Sequence, residues 1–185
     1  MNKHLIAAAV ALAATGSAQA ITYTYDANTT GAPTYNRTVE DFSALSLLGA
    51  NVAYQTLPFT VSASGTYTFS SVAAIVSGTT RWDNFLFLYS PSFAPAAPQT
   101  NGLIGNDDST GVGFSGFTYG LTAGTSYVLV TTGFESIDFG AYTNTIDGPG
   151  SVNVVPEPAT YGMLALGLLG VSAAARRRLR SDALA

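Results

Sequence analysis

Carboxylates are the main groups in the body of this sequence with chemistry to offer a site. Asp107 and Asp108 stand side by side in Gly105-Asn106-Asp107-Asp108-Ser109-Thr110, Glu135 and Asp138 are close in sequence, and Asp83 follows the single tryptophan, Trp82. Paired carboxylates can hydrolyse glycosides, one giving a proton while the other acts as base or nucleophile. They can equally hold calcium, which takes about six to eight oxygens from carboxylates, amide side chains and backbone carbonyls. The Asn-Asp-Asp-Ser-Thr run supplies several such oxygens, and Asp83 joins them if its turn lies beside that loop. Asp83, Asp107 and Asp108 are therefore the candidate metal ligands, and calcium is the candidate ion. The competing reading is a solvated Asn/Asp turn held by its own side-chain to backbone hydrogen bonds.

What the sequence lacks removes most other chemistries. The only histidine is His4 and the only lysine is Lys3, both near the N-terminus, and there is no cysteine. Ser-His-Asp, Cys-His and Ser-Lys nucleophiles, histidine-zinc sites and Schiff bases therefore have no residues to build them in the body of the chain. Residues 21–154 carry two arginines, Arg37 and Arg81, against nine acids, a formal charge of −7. Such a domain repels phosphate backbones, so nucleic acid is not an expected partner. Trp82 and the tyrosines offer flat rings that stack on sugars, although a lone tryptophan beside an apolar strand also suits core packing. No catalytic residue is expected, and the ligand-binding residues stay unassigned.

Strands must position these groups. Thr66-Tyr67-Thr68-Phe69-Ser70 alternates with period two, whereas Phe85-Leu86-Phe87-Leu88-Tyr89 and Tyr127-Val128-Leu129-Val130 are apolar on both faces, as central strands are. Strands are also expected over 139–146 and 151–155, and 21–36 reads as an irregular lead-in or edge strand. Turn signals separate the runs: Ser64-Gly65, Ser77-Gly78, Pro91 through Pro98, Gly105 to Asp108, Thr122-Ala123-Gly124 and Asp147-Gly148-Pro149-Gly150. Only 42–48 offers a helix between the ends. The expected fold class is all-β, an antiparallel β-sandwich of jelly-roll type, flanked by an N-terminal signal helix and a C-terminal transmembrane helix. Without cysteine, that sandwich must stand on its core alone.

The two ends read as addresses. Residues 1–20 form a signal peptide: Lys3 and His4 lead, 5–14 are apolar, and Ala18-Gln19-Ala20 is a small-x-small cleavage site for signal peptidase. Residues 155–180 open with Val155-Pro156-Glu157-Pro158-Ala159, where two prolines keep the segment extended. An uncharged apolar run over 159–175 follows, near the lower limit of roughly 17 residues for a membrane span. Arg176, Arg177, Arg178 and Arg180 then form a basic stop on the cytoplasmic side.

Motif, apolar segment and arginines together resemble the PEP-CTERM sorting signal of Gram-negative bacteria that export polysaccharide. The resemblance covers about the last thirty residues. It implies an exosortase, a multi-pass membrane protease or transpeptidase, acting near Pro156, Glu157 and Pro158. The protein is then expected to be anchored transiently in the inner membrane and passed to the cell surface or extracellular matrix. Its expected function is non-enzymatic, structural or adhesive, in the exopolysaccharide of a biofilm. One alternative is a carbohydrate- or calcium-binding module of that matrix; the weakest is a carboxylate-dependent glycoside hydrolase. Within the body, Trp82 to Tyr89, Leu103 to Asp108 and Leu121 to Val130 look like parts of the bacterial pre-peptidase C-terminal domain. That resemblance, over residues 65–146, implies a jelly-roll sandwich, here with no catalytic domain before it.

Overall fold

A computed structural model describes residues 20–156 of the protein. The first nineteen residues, with Ala18, lie outside the described residues, as do Glu157, Pro158, the apolar run 159–175 and the arginines at 176–178 and 180. The expected signal and membrane helices therefore fall outside them too, and no residue between 20 and 156 is helical.

Twelve strands form among the described residues: β1 (Ile21–Asn28), β2 (Thr34–Tyr35), β3 (Val52–Val61), β4 (Gly65–Ala73), β5 (Ile75–Ser77), β6 (Thr80–Arg81), β7 (Asn84–Tyr89), β8 (Gly102–Asn106), β9 (Phe114–Leu121), β10 (Tyr127–Gly133), β11 (Ala141–Gly148) and β12 (Val152–Val154). One sheet runs β1-β11-β4-β9, the other β12-β3-β10-β7-β8 with β2 beside β3, and β5 and β6 form a separate hairpin. Every pairing is antiparallel. Apart from the short β2, β5, β6 and β12, the chain draws its strands in the two-sheet order of a jelly roll.

Patterning explains the layers. β7 and β10 are buried along their whole length, because their inner face fills the sandwich and their outer face is covered as well. Between the sheets lie Leu57, Phe59, Tyr67, Phe69, Leu129 and Ile146 with their neighbours. A second cluster, Phe85, Phe87, Tyr89, Val128 and Val130, lies on the outer face of the larger sheet, where Phe42, Tyr54, Phe93 and Phe134 close over it. Strands supply nearly all of the buried apolar residues among those described; Trp82, between β6 and β7, is the exception.

The registers sort the connections between two ends. At one, which we call the head, lie 29–51, 74–83, 107–113 and 134–140; at the other lie 62–64, 90–101, 122–126 and 149–151. Near the head the interior turns polar. Asn144 Nδ2 donates to Thr131 Oγ1 (2.8 Å) and Tyr25 Oη (2.8 Å), Asn84 Nδ2 donates to Ser71 Oγ (2.7 Å), and Ser115 Oγ donates to the Asn84 carbonyl (2.6 Å). Because Asn144 pairs with Ser71 and Ser71 with Ser115, these groups form one layer across the sandwich.

Two expectations are corrected and one alternative is decided. Residues 42–48 are not a helix: Phe42 takes a left-handed φ of 62° and lays its ring against Phe87 and Tyr89, and Thr38 bridges to Leu45. Of the two readings of 21–36, the edge strand is the one that forms: β1 is paired with β11 from end to end, and the short β2 follows at Thr34–Tyr35. Strand β11 begins at Ala141 rather than Phe139. Gly140, at φ 157°, passes so close to Trp82 that a Cβ there would lie 2.9 Å from the indole.

Candidate functional site

The head gathers the three acids that the sequence singles out. Asp83 enters from the start of β7, held there because Trp82 is only 3% exposed and its indole Nε1 donates to the Ala141 carbonyl (2.9 Å). Asp107 and Asp108 follow the last residue of β8, Asn106, which pairs with Leu86 of β7. Adjacent antiparallel strands thus bring the two acidic turns to one place. One carboxylate oxygen from each of Asp83, Asp107 and Asp108 lies within 4.8 Å of the others. Two oxygens bound to the same calcium, each at about 2.4 Å, are at most about 5 Å apart. The spacing is therefore one that a single hard cation can bridge.

The electrostatics of the cluster are those of crowded like charges. Burial, with Asp83 and Asp108 adding repulsion, pushes Asp107 up to about 7; burial, with Asp108 and Asp138, pushes Asp83 up to about 6. Arg37 acts in the opposite sense on both. Oδ1 of Asp83 and Oδ1 of Asp107 are buried without a hydrogen-bond donor from the protein. Buried acceptors of this kind carry a desolvation cost that a cation would relieve.

A second ring of residues holds the cluster in place. Glu40 Oε1 accepts from the Asp107 amide (2.8 Å), and Asn106 Oδ1 accepts from the Gly116 amide (2.8 Å). Asp138 accepts from the amides of Asp83 (3.3 Å) and Glu135 (2.9 Å) through its two oxygens. Glu135 and Asp138 therefore order their own loop and do not form a separate facing pair. Arg37 is 2% exposed, its guanidinium carbon 4.4 Å from the Phe85 ring centre and 4.8 Å from that of Phe134. It donates to the carbonyls of Phe134 (3.1 and 2.8 Å) and Thr38 (3.0 Å). Beside it a shallow cavity of about 560 Å³ is lined by Val39, Glu40, Asp41 and Asp107 among others.

Sequence reasoning missed this ring. Glu40 is 67 positions from Asp107, and no local spacing announces the contact. It also missed a groove of about 510 Å³ on the outer face of the larger sheet, where Tyr54, Pro58, Phe93, Tyr127 and Val155 meet. The aromatic sugar platform built on Trp82 is not there, because that ring is spent on the core with Ala73 and Tyr142. Of the sorting residues, Pro156 is exposed, and Val155 just before it donates its amide to Pro58 (2.8 Å). Ala20 is exposed one residue before β1.

Comparison with known proteins bears on the tail. The family model of the PEP-CTERM protein-sorting motif matches residues 154–178. That match carries the motif read at Pro156, Glu157 and Pro158, and it indicates an exported, surface-directed protein processed by an exosortase. No curated protein matches the chain.

Proposed function

We propose that residues 21–154 are a non-enzymatic module that works outside the inner membrane, as a structural or adhesive part of the extracellular polysaccharide layer. Signal peptidase removes the leader after Ala20. The run 159–175 and the arginines behind it hold the precursor transiently in the membrane until exosortase cuts near Pro156-Glu157-Pro158. The observation that carries this reading is where the motif begins. Its match opens at residue 154, where β12 ends, so a cut just beyond releases the sandwich with every strand in place. The likeness of 65–146 to pre-peptidase C-terminal domains agrees with a jelly roll that acts as an accessory.

The test is a pull-down of the released domain on exopolysaccharide from its own host, with a glycan array beside it. Retention on the polysaccharide supports an adhesive role in the matrix. A domain that binds neither, and whose deletion leaves the matrix mechanically unchanged, ends the proposal.

A second reading, a calcium-binding module of the same matrix, is favoured by the three carboxylates within 4.8 Å and the two orphaned oxygens. Asp83, Asp107 and Asp108 would be its side-chain ligands, with backbone carbonyls and water completing the shell. Titration calorimetry and thermal melting with calcium and with chelator decide it. Binding heat and a raised melting temperature, both abolished by Asp107→Asn with Asp108→Asn, are expected. No heat and no shift in the wild type would remove the ion.

A further inference from the structure

β12 and β2 lie along the same edge of β3. The Ser62 amide donates to the Ser151 carbonyl (3.0 Å), the Val155 amide to the Pro58 carbonyl (2.8 Å) and the Tyr54 amide to the Pro33 carbonyl (3.0 Å). Backbone groups of alternate residues in a strand face the same edge. Even-numbered residues of β3 therefore turn their polar groups to this edge, and odd-numbered ones turn theirs to β10. β12 holds its register from Val152 opposite Val61 to Val154 opposite Phe59, and β2 sets Thr34 opposite Ala53. Val155 opposite Pro58 and Pro33 opposite Tyr54 extend the two contacts toward each other. Three positions of β3 separate them: Gln55, Thr56 and Leu57.

The segment that arrives at this interval is Pro156-Glu157-Pro158. Continuing the register of β12 sets Pro156 opposite Leu57, Glu157 opposite Thr56 and Pro158 opposite Gln55. The residue types suit that parity. Proline has no amide to give and is accepted in an edge strand where its nitrogen faces away from the ladder. Positions 156 and 158 are of that kind, whereas position 157, opposite an even-numbered residue, turns its amide to β3. Val155 and Glu157, each preceding a proline, are held extended. The next residue, Ala159, would meet Pro33, so the pairing ends where the motif ends.

The outer face of the sheet agrees. Tyr54, Thr56 and Pro58 line the groove of about 510 Å³, and Val155 reaches it from the end of β12. Glu157, two residues on, comes to the same side. No acid is among the residues that line this groove, although residues 21–154 carry nine. A carboxylate therefore enters it without a like charge beside it.

We propose that the sorting motif docks on its own domain: Pro156-Glu157-Pro158 continues β12 along the edge of β3, and exosortase must draw it off before cutting. Strand addition of this kind holds a segment through its main chain. The masking rests on the exosortase reading above; the docking does not.

The experiment is amide exchange by NMR on the full-length precursor in detergent, labelled with nitrogen-15 glutamate. The chain has three glutamates, Glu40, Glu135 and Glu157, and neither proline beside Glu157 has an amide to confuse the signal. The Glu157 amide is expected to exchange at least about tenfold more slowly than in the free peptide 153–160. Thr56→Pro removes the donor opposite Glu157 and keeps the bonds of Gln55 and Leu57 to β10, a change that β3 already accepts at Pro58. It should speed exchange at Glu157 about fivefold and leave Glu40 and Glu135 unchanged, which shows that the fold is intact. Exchange of wild-type Glu157 at the free-peptide rate overturns the docking. So does protection that disappears on dilution, which would assign the interval to the tail of a second copy. Membranes bearing exosortase should then cut the Thr56→Pro precursor faster than the wild type. Equal rates overturn the masking, and failure to cut either precursor removes the exosortase reading while a protected Glu157 keeps the docking.

Discussion

Asp107 and Asp83 keep their protons to about pH 7 and about pH 6, well above an ordinary carboxyl, because burial and neighbouring acids penalise their charged forms. A carboxyl whose folded pKa exceeds its unfolded value of about 4 binds its proton more tightly in the fold. Stability is therefore fully favoured at low pH and is lost as pH rises from about 4 toward the folded values. In chelator, the domain should melt lower at pH 7.5 than at pH 5. Asp107→Asn should flatten that dependence and raise the melting temperature at the higher pH. A wild-type melting temperature that does not change over this range contradicts the crowding. Arg37 tests the same neighbourhood from the cationic side. Replacing it with Met leaves the carbonyls of Phe134 and Thr38 without a donor and strips two rings of their cation. Urea denaturation should show a loss of about 3 kcal/mol; a loss within error would mean that the guanidinium is a passenger.

Strands decide which of these residues meet. The polar layer at the head is built by register, so Asn144→Ala removes two bonds that tie β11 to β1 and β10 and should cost about 2 kcal/mol by urea denaturation. An unchanged midpoint would show that the layer adds nothing. Much of this was legible beforehand. The two-sided apolar runs of β7 and β10 mark central strands, whereas the meeting of the turn before β7 with the turn after β8 stood only as a condition, which the pairing of Leu86 with Asn106 meets. The apolar run 42–48 misled, since its leucines suggest a buried face, yet Leu45, Leu47 and Leu48 are exposed. Only the left-handed Phe42, docking on Phe87 and Tyr89, explains why the chain turns there. Glu40 and Arg37 were illegible for another reason. Their roles come from long-range contacts to Asp107 and Phe134 that no sequence period encodes.

For the whole molecule, the sandwich closes at β12 and the sorting motif begins there. Fold and address are thus separable at one peptide segment, and the acidic head lies at the other end of the strands from the 149–151 turn that leads into β12. Substituting Glu157 and Pro158 together by alanine should leave the sandwich's melting temperature unchanged and hold the precursor in the membrane fraction, as a blot of fractionated cells would show. Release unaffected by this change would place the cut outside the motif. The most direct measurement is mass spectrometry of the protein recovered from outside cells that carry an exosortase, reading both of its termini. The account predicts a chain that starts at Ile21 and ends close to Pro156. An intact chain found in the cytosol, with its first twenty residues and its arginine tail still attached, would contradict it.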